Sequence, residues 1–220
     1  MKDIPIFIVN FNRFDPVRML VESFLKRNYN NITILDNASE YSPLLEWYKT
    51  CGVKVHHIGS NQGPYILDRL PEYYPITKNQ YYVYTDADVV PIDEAPDDFL
   101  GDIVELSKTH KIPKIGLGLK IDDLPDHFKF KQNVINHESS FWKREKIVDK
   151  KCDLFRAPID STFAVNSPGI ICRLSDEDFR SGFPYMARHV PWYYDSNNLP
   201  DDEKLLRTKK LGHIGHWSSM

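Results

Sequence analysis

The sequence predicts an α/β domain with a mostly parallel central sheet and helices on both faces. Three observations predict it. Short β-rich runs alternate with segments of helical apolar spacing over the first 120 residues. The runs are almost wholly apolar, as expected of strands covered on both sides. Hydrophobic residues make up 41% and aromatics 13% of 220 residues, enough for one substantial core. We therefore expect a single domain over 1–220.

The elements follow in order. Ile4 to Val9 reads as a buried strand. Asp15-Pro16 suits a helix start, because Asp caps and Pro fits the first helical position. Val17, Leu20, Val21, Phe24 and Leu25 then recur at helical spacing. Asn31 to Asp36 is a second strand ending in a carboxylate. Ser42-Pro43 opens a second helix that Gly52 stops. Val53 to Ile58 is a third strand, 59–64 a loop, and Tyr65 to Leu70 a short helix ending at Pro71. Tyr81 to Thr85 is a fourth strand running straight into Asp86-Ala87-Asp88. Pro96 to His110 is the clearest helix, with Phe99, Leu100, Ile103 and Leu106 on one face. Lys114 to Leu119 is a fifth strand. Beyond residue 120 the rhythm changes. Residues 121–151 read as polar and irregular, Leu154 to Val165 as strand or strand and turn, and Ser181 to Met220 as loop-rich. This reads as a subregion built onto the sheet.

Composition excludes several classes. Lys+Arg 28 against Asp+Glu 31 gives a net charge of −3, without the basic excess of an electrostatic nucleic-acid binder. The apolar and aromatic content excludes intrinsic disorder. Cys51, Cys152 and Cys172 form no CxxC, so neither a disulfide framework nor a thiolate zinc site is expected, and a reducing compartment fits. The apolar run at the N-terminus is too short for a signal peptide. No run approaches the roughly 20 apolar residues of a membrane helix. A cytoplasmic location is expected.

The most informative residues are Asp86 and Asp88, at the carboxyl end of an apolar strand. In open α/β sheets ligands bind beyond those ends. Two carboxylates there can hold a hard divalent cation whose open positions take phosphate oxygens. Alone, D-x-D also suits a solvated turn. Three other strand ends point to the same edge: Asn10-Phe11-Asn12-Arg13, Asp36-Asn37-Ala38-Ser39 and Asn61-Gln62-Gly63. They offer amides, a carboxylate that accepts from a base N–H or ribose hydroxyl, a guanidinium for phosphate, and a glycine that permits close approach.

The ordered series IPIFIVNFNR, ILDNAS, NQG and YVYTDADVVP resembles the nucleotide-sugar-binding half of GT-A glycosyltransferases, especially the family 2-like group, over about residues 4–120. The resemblance implies a GT-A (Rossmann-like) domain, with 1–120 binding the nucleotide sugar and 121–220 binding the acceptor and completing a metal site. It implies that Asn10, Phe11 and Asn12 line the base site, with Phe11 stacking. Asp36 would bond the base or ribose, and Asn61 and Gly63 would touch the nucleoside. Arg69 would reach the nucleoside or diphosphate. Asp86 would contact ribose and metal, and Asp88 would ligate Mn2+ or Mg2+ bridging the donor diphosphate. The implied donor is UDP-linked, the acceptor a glycan or glycolipid, and the context surface polysaccharide synthesis. The chain departs from the family 2 pattern in lacking a clear Glu-Asp pair and a Q-x-x-R-W motif.

Inverting transfer needs a carboxylate to deprotonate the acceptor hydroxyl. Asp160 is the expected base, within an apolar stretch whose burial would raise its pKa. Capping a turn or pairing with Arg156 is its structural alternative, and a retaining mechanism stays open. A neutral imidazole can complete a metal site begun by two carboxylates. His216, in GHIGHWS, ranks first, His189 second and His213 third. Adjacent His56 and His57 face opposite sides of a strand and cannot share a metal. The basic stretch 141–151 reads as a solvated helix face that could also touch a lipid-linked acceptor or a membrane surface. Two other readings compete. A sugar nucleotidyltransferase would want a glycine-rich basic loop where NFNRFD stands. A non-catalytic nucleotide-sugar-binding module would keep the fold without turnover.

Overall fold

The computed structural model describes residues 1–171 and 173–209. Among the described residues ten strands form one mixed sheet, in the order β3-β2-β1-β4-β9-β6-β10-β8-β7, with β5 paired to β10. The first four strands are β1 (Ile6–Asn10), β2 (Ile32–Asp36), β3 (Lys54–His57) and β4 (Tyr82–Asp86). They pair in parallel, with Ile8 opposite both Ile34 and Thr85. Then come β5 (Val89–Pro91), β6 (Lys114–Leu119), β7 (Lys146–Ile147), β8 (Leu154–Arg156), β9 (Ala164–Asn166) and β10 (Phe179–His189). Short β9 lies antiparallel between β4 and β6, and β10 runs parallel to β6. Only β5, β8 and β9 run against the rest, so the sheet is mostly parallel in direction.

Strand alternation builds two cores. Ile6 and Ile8 of β1 pack with α1 (Asp15–Lys26), α2 (Ser42–Tyr48) and α4 (Phe99–His110), through Val17, Leu20, Phe24, Leu44, Phe99 and Ile103. Phe7 and Val9 face the other way, onto Ile66, Leu67, Tyr73, Tyr82 and Tyr84. That second face is covered by two 3-10 turns, Ile66–Arg69 and Pro71–Tyr73, leading into α3 (Tyr74–Asn79). The expected short helix at 65–70 is thus a 3-10 turn. Pro71 denies it the length an α-helix needs.

The C-terminal half differs more from expectation. The stretch 141–151 is no helix: it holds a 3-10 turn at Phe141–Lys143 and the edge strand β7, after α5 (Lys131–Glu138). The segment read as loop-rich from Ser181 opens in β10, which runs to His189. Gly182 and Pro184 make it look broken. The pairing with β6 absorbs them in a register shift between Ser181 and Met186, which leaves Phe183 exposed. A further helix, α6 (Asp201–Thr208), docks against the start of α1, where Asp202 Oδ2 accepts from the Phe14 N–H at 2.8 Å. Cys51 and Cys152 are buried free thiols. No helix among the described residues is long and apolar enough to cross a membrane.

Candidate active site

The strand order places the ligand crevice. From β1 the chain winds outward through β2 to β3, then returns to place β4 on the other side of β1. The carboxyl ends of β1 and β4 therefore flank the point where the winding reverses, the usual ligand position in such sheets. A cavity of about 530 Å³ opens there. It is lined by Asn10, Phe11 and Arg13 after β1 and by Asp86, Ala87 and Asp88 after β4. Asn37, Asn61, Gly63 and Tyr65 reach it from the β2–β3 side. Glu138, Asp160, Ser161, Arg180, His189 and Trp192 reach it from the other side.

Several expected site residues serve the scaffold. Asn12 is buried in the left-handed region at φ 56, which asparagine tolerates. Its Oδ1 accepts from the Glu40 and Tyr41 N–H groups at 2.6 and 3.0 Å, so it ties two loops together and lies outside the cavity lining. Asp36 is likewise buried. Its carboxylate accepts from the Tyr48 hydroxyl at 3.1 Å and the Ser39 N–H at 3.3 Å, and lies 3.3 Å from His57 Nδ1. Its neighbour Asn37 lines the cavity instead. The Asn37 amide donates to Gly63 O and accepts from the Gln62 N–H, both at 2.9 Å. Gly63 sits at φ 85 with open space around it, so the backbone can approach a ligand there. Arg69 is exposed, donates to Gln62 O at 3.3 Å, and lies outside the lining.

Asp86 is anchored by its neighbour across the sheet. Its N–H donates to Ser161 O at 3.0 Å, and its Oδ2 accepts from the Ser161 hydroxyl at 2.9 Å. Burial, with the carboxylates of Asp88 and Asp160 nearby, pushes Asp86 well above the ordinary carboxylate range. Asp88 has the opposite character. Burial works against its charge, but the Arg13 guanidinium, 3.2 Å away, and the His189 ring outweigh it and hold Asp88 below the ordinary range. Arg13 also donates to Glu203 of α6 at 2.8 Å. His189 arrives through backbone register. It pairs with Val89 in the β5–β10 ladder, and the Val190 N–H donates to Asp88 O, bringing its Nε2 to 3.3 Å from Asp88 Oδ2. Burial, the largest influence on His189, lowers its pKa and favours the neutral ring.

Asp160 lines the cavity but is not buried, correcting the expectation drawn from its apolar surroundings. It caps a turn, accepting from the Thr162 N–H at 3.0 Å. A buried carboxylate on this side of the cavity is Glu138, whose pKa burial raises, and sequence reading missed it. His213 and His216 lie outside the described residues. His56 and His57 turn to different partners, Tyr73 and Asp36.

No group of three metal-ligating side chains stands together among the described residues. The donor chemistry nevertheless fits a hard divalent cation, which uses one or two carboxylates and takes its other ligands from phosphate and water. The crowded charge on Asp86 is the observation that favours this fit, because a cation beside it would relieve the repulsion. In this structure Arg13 supplies the positive charge at Asp88.

No protein-family model matches the sequence, and no curated protein matches it. Among solved structures it is similar to a mannosyltransferase from Pyrobaculum calidifontis in complex with GDP-Man and Mn2+, at 13% identity and a TM-score of 0.45. That match covers 74% of this chain and 44% of the mannosyltransferase, so the chain spans less than half its length. S. aureus TarS 1–349 is similar over 98% of this chain and 67% of its own, at 10% identity and a TM-score of 0.49. An apo UDP-glucose pyrophosphorylase is similar over 94% of this chain and all of its own, at 7% identity and a TM-score of 0.45. At these scores the likeness carries no weight for what this chain does.

Proposed function

We propose that the chain is a metal-dependent glycosyltransferase that moves a hexose from a nucleotide-diphosphate sugar, UDP-linked, to a glycan or glycolipid acceptor. One observation carries this reading. The cavity at the sheet's reversal point joins an amide- and aromatic-lined side to a carboxylate-lined side, with Arg13, Asp86 and Asp88 between them.

The division suggests the roles. Asn37, Asn61, Gly63, Phe11 and Tyr65 suit a nucleoside, which needs π faces and amide hydrogen bonds. Arg13 suits the diphosphate. Asp86 and Asp88 would hold the divalent cation, Mn2+ or Mg2+, with His189 beside Asp88. When bound, the cation supplies Lewis-acid stabilisation of the departing diphosphate. Asp160, which lines the cavity, would take the acceptor hydroxyl proton as that oxygen attacks the sugar and the nucleoside diphosphate leaves, an inverting displacement. Trp192 offers a ring for a sugar face.

The test is a donor panel. Purified protein with Mn2+ is offered UDP-, GDP-, CDP- and dTDP-sugars, and release of nucleoside diphosphate is measured. The reading predicts release from one donor class, lost in Asp88→Asn and reduced at least 100-fold in Asp160→Asn with donor binding kept. Pyrophosphate-dependent formation of nucleoside triphosphate would make the chain a nucleotidyltransferase. Binding without turnover would make it a non-catalytic module.

A further inference from the structure

Four buried ionic side chains, two lining the cavity (Glu138 and Arg180) and two behind it, are not used by the proposed reaction. Lys114 of β6 and Asp178 are each 1% exposed, and Arg180 of β10 and Glu138 of α5 are 7% and 5% exposed. They form two pairs, Lys114 with Asp178 at 3.3 Å and Arg180 with Glu138 at 2.9 Å. Both pairs converge on the turn 157–162. Arg180 donates Nε and a terminal N–H to Pro158 O, at 3.3 and 3.0 Å. Lys114 donates to Ile159 O at 2.5 Å and reaches Asp160 O at 3.5 Å. Three successive carbonyls are thus held by two buried cations. Asp178 completes the grip: its Oδ2 accepts from the Ile159 N–H at 3.1 Å and its backbone oxygen from the Ala157 N–H at 3.0 Å. The next residue, Ser161, makes the double contact with Asp86.

Neutral donors would satisfy buried carbonyls at lower cost. Buried ion pairs are often no more stabilising than apolar groups of the same shape. What they add here is geometry. The turn they hold carries Asp160 toward Asp86 and Asp88. We propose that Lys114–Asp178 and Arg180–Glu138 are positioning residues, fixing the 157–162 turn so that Asp160 and Ser161 meet Asp86 in the cavity. This rests on the proposed transferase reading for its kinetic consequence, though not for its structural one.

The experiment compares Lys114→Met, Asp178→Leu and the double variant in the full chain. The single variants strand a buried charge and should melt well below wild type. The double variant should melt above either single variant, because no buried charge is left unpaired, but below wild type, because Ile159 O and N–H lose their partners. It should still lose kcat about 100-fold with donor KM within threefold, the signature of a displaced reacting group. Its amides over 158–163 should exchange at least tenfold faster while the rest of β6 and β9 keeps its protection. A double variant with wild-type kcat, one that changes KM alone, or one with unchanged exchange at 158–163 overturns the proposal. Should the double variant not fold, Arg180→Lys decides. It keeps the charge beside Glu138 but lacks the fork that gives Pro158 O two N–H groups. It should lose kcat about tenfold at unchanged KM and melting temperature, and wild-type kcat would overturn the proposal. If wild type turns over no nucleotide sugar, the transferase reading fails, and the exchange of 158–163 still decides the positioning role.

Discussion

Arg13→Gln is the sharpest perturbation of the site. It removes a cation held between Asp88, at 3.2 Å, and Glu203, at 2.8 Å. At an effective dielectric of 20 the pair with Asp88 has a gross Coulomb energy of about 5 kcal/mol. Removing one partner of a buried pair costs about 3–5 kcal/mol. Two contacts soften the loss, since Asp88 keeps His189 at 3.3 Å and Glu203 keeps Arg207 at 3.0 Å. The expected cost is therefore near the lower end, about 3 kcal/mol, or about 6–12 °C in melting temperature for a chain of this size. The variant also bares a carboxylate pair that Arg13 otherwise neutralises. Mn2+ at 100 times its Kd restores about 2.7 kcal/mol. Wild type gains less, because its own guanidinium must first be displaced. Thermal unfolding by circular dichroism, in EDTA and in Mn2+, measures both shifts. The account predicts a Mn2+ shift several degrees larger in Arg13→Gln than in wild type, with Arg13→Lys between them. Equal shifts, or a variant blind to Mn2+, would refute the view that Arg13 stands in for a metal ion.

Three further outcomes follow from the same geometry. Asp86→Asn should stabilise the fold by about 0.5–2 kcal/mol at neutral pH while abolishing cation binding. The sign comes from its raised pKa. The folded state holds the Asp86 proton more tightly than the unfolded chain, so wild-type stability falls as pH rises from the unfolded pKa through the folded one. The variant's advantage should grow across that window in urea titrations. A flat difference from pH 4 to 8 would contradict this. Gly116→Ala should destabilise by about 1–3 kcal/mol, because its Cβ would meet the Phe163 carbonyl oxygen at 2.8 Å and the Ile159 side chain at 2.7 Å. Tyr48→Phe should cost about 1–3 kcal/mol, because its hydroxyl joins Asn10 and Asp36 in a buried network. A melting temperature unchanged in either variant would speak against the packing described.

The elements before residue 120 were largely legible because each obeys one strong local rule. The β1, β2 and β4 runs are apolar but for Thr33, Thr85 and the polar residue that ends each, and α1 and α4 carry regular apolar faces. β10 was not, because Gly182 and Pro184 mimic a loop and only pairing with β6 shows how the strand absorbs them. The gathering of Asn10, Arg13, Asp86 and Asp88 was legible, since parallel strands put their ends on one edge. Which neighbour turns inward was not: Asp36 faces Tyr48 while Asn37 faces the cavity. Burial misled at Asp160, where an apolar neighbourhood hid an exposed turn, while the depth of Lys114 and Glu138 depends on partners distant in sequence. A charged residue inside an apolar strand, as at the start of KIGLGL, was the one available signal for Lys114.

The most direct test is a calorimetric titration of UDP and GDP into the wild-type protein and Asp88→Ala, each in Mn2+ and in EDTA. The account predicts that wild type binds one nucleoside diphosphate at least tenfold more tightly in Mn2+ than in EDTA, and that Asp88→Ala loses this difference. Binding that is indifferent to Mn2+, or a metal effect that survives in Asp88→Ala, would contradict it.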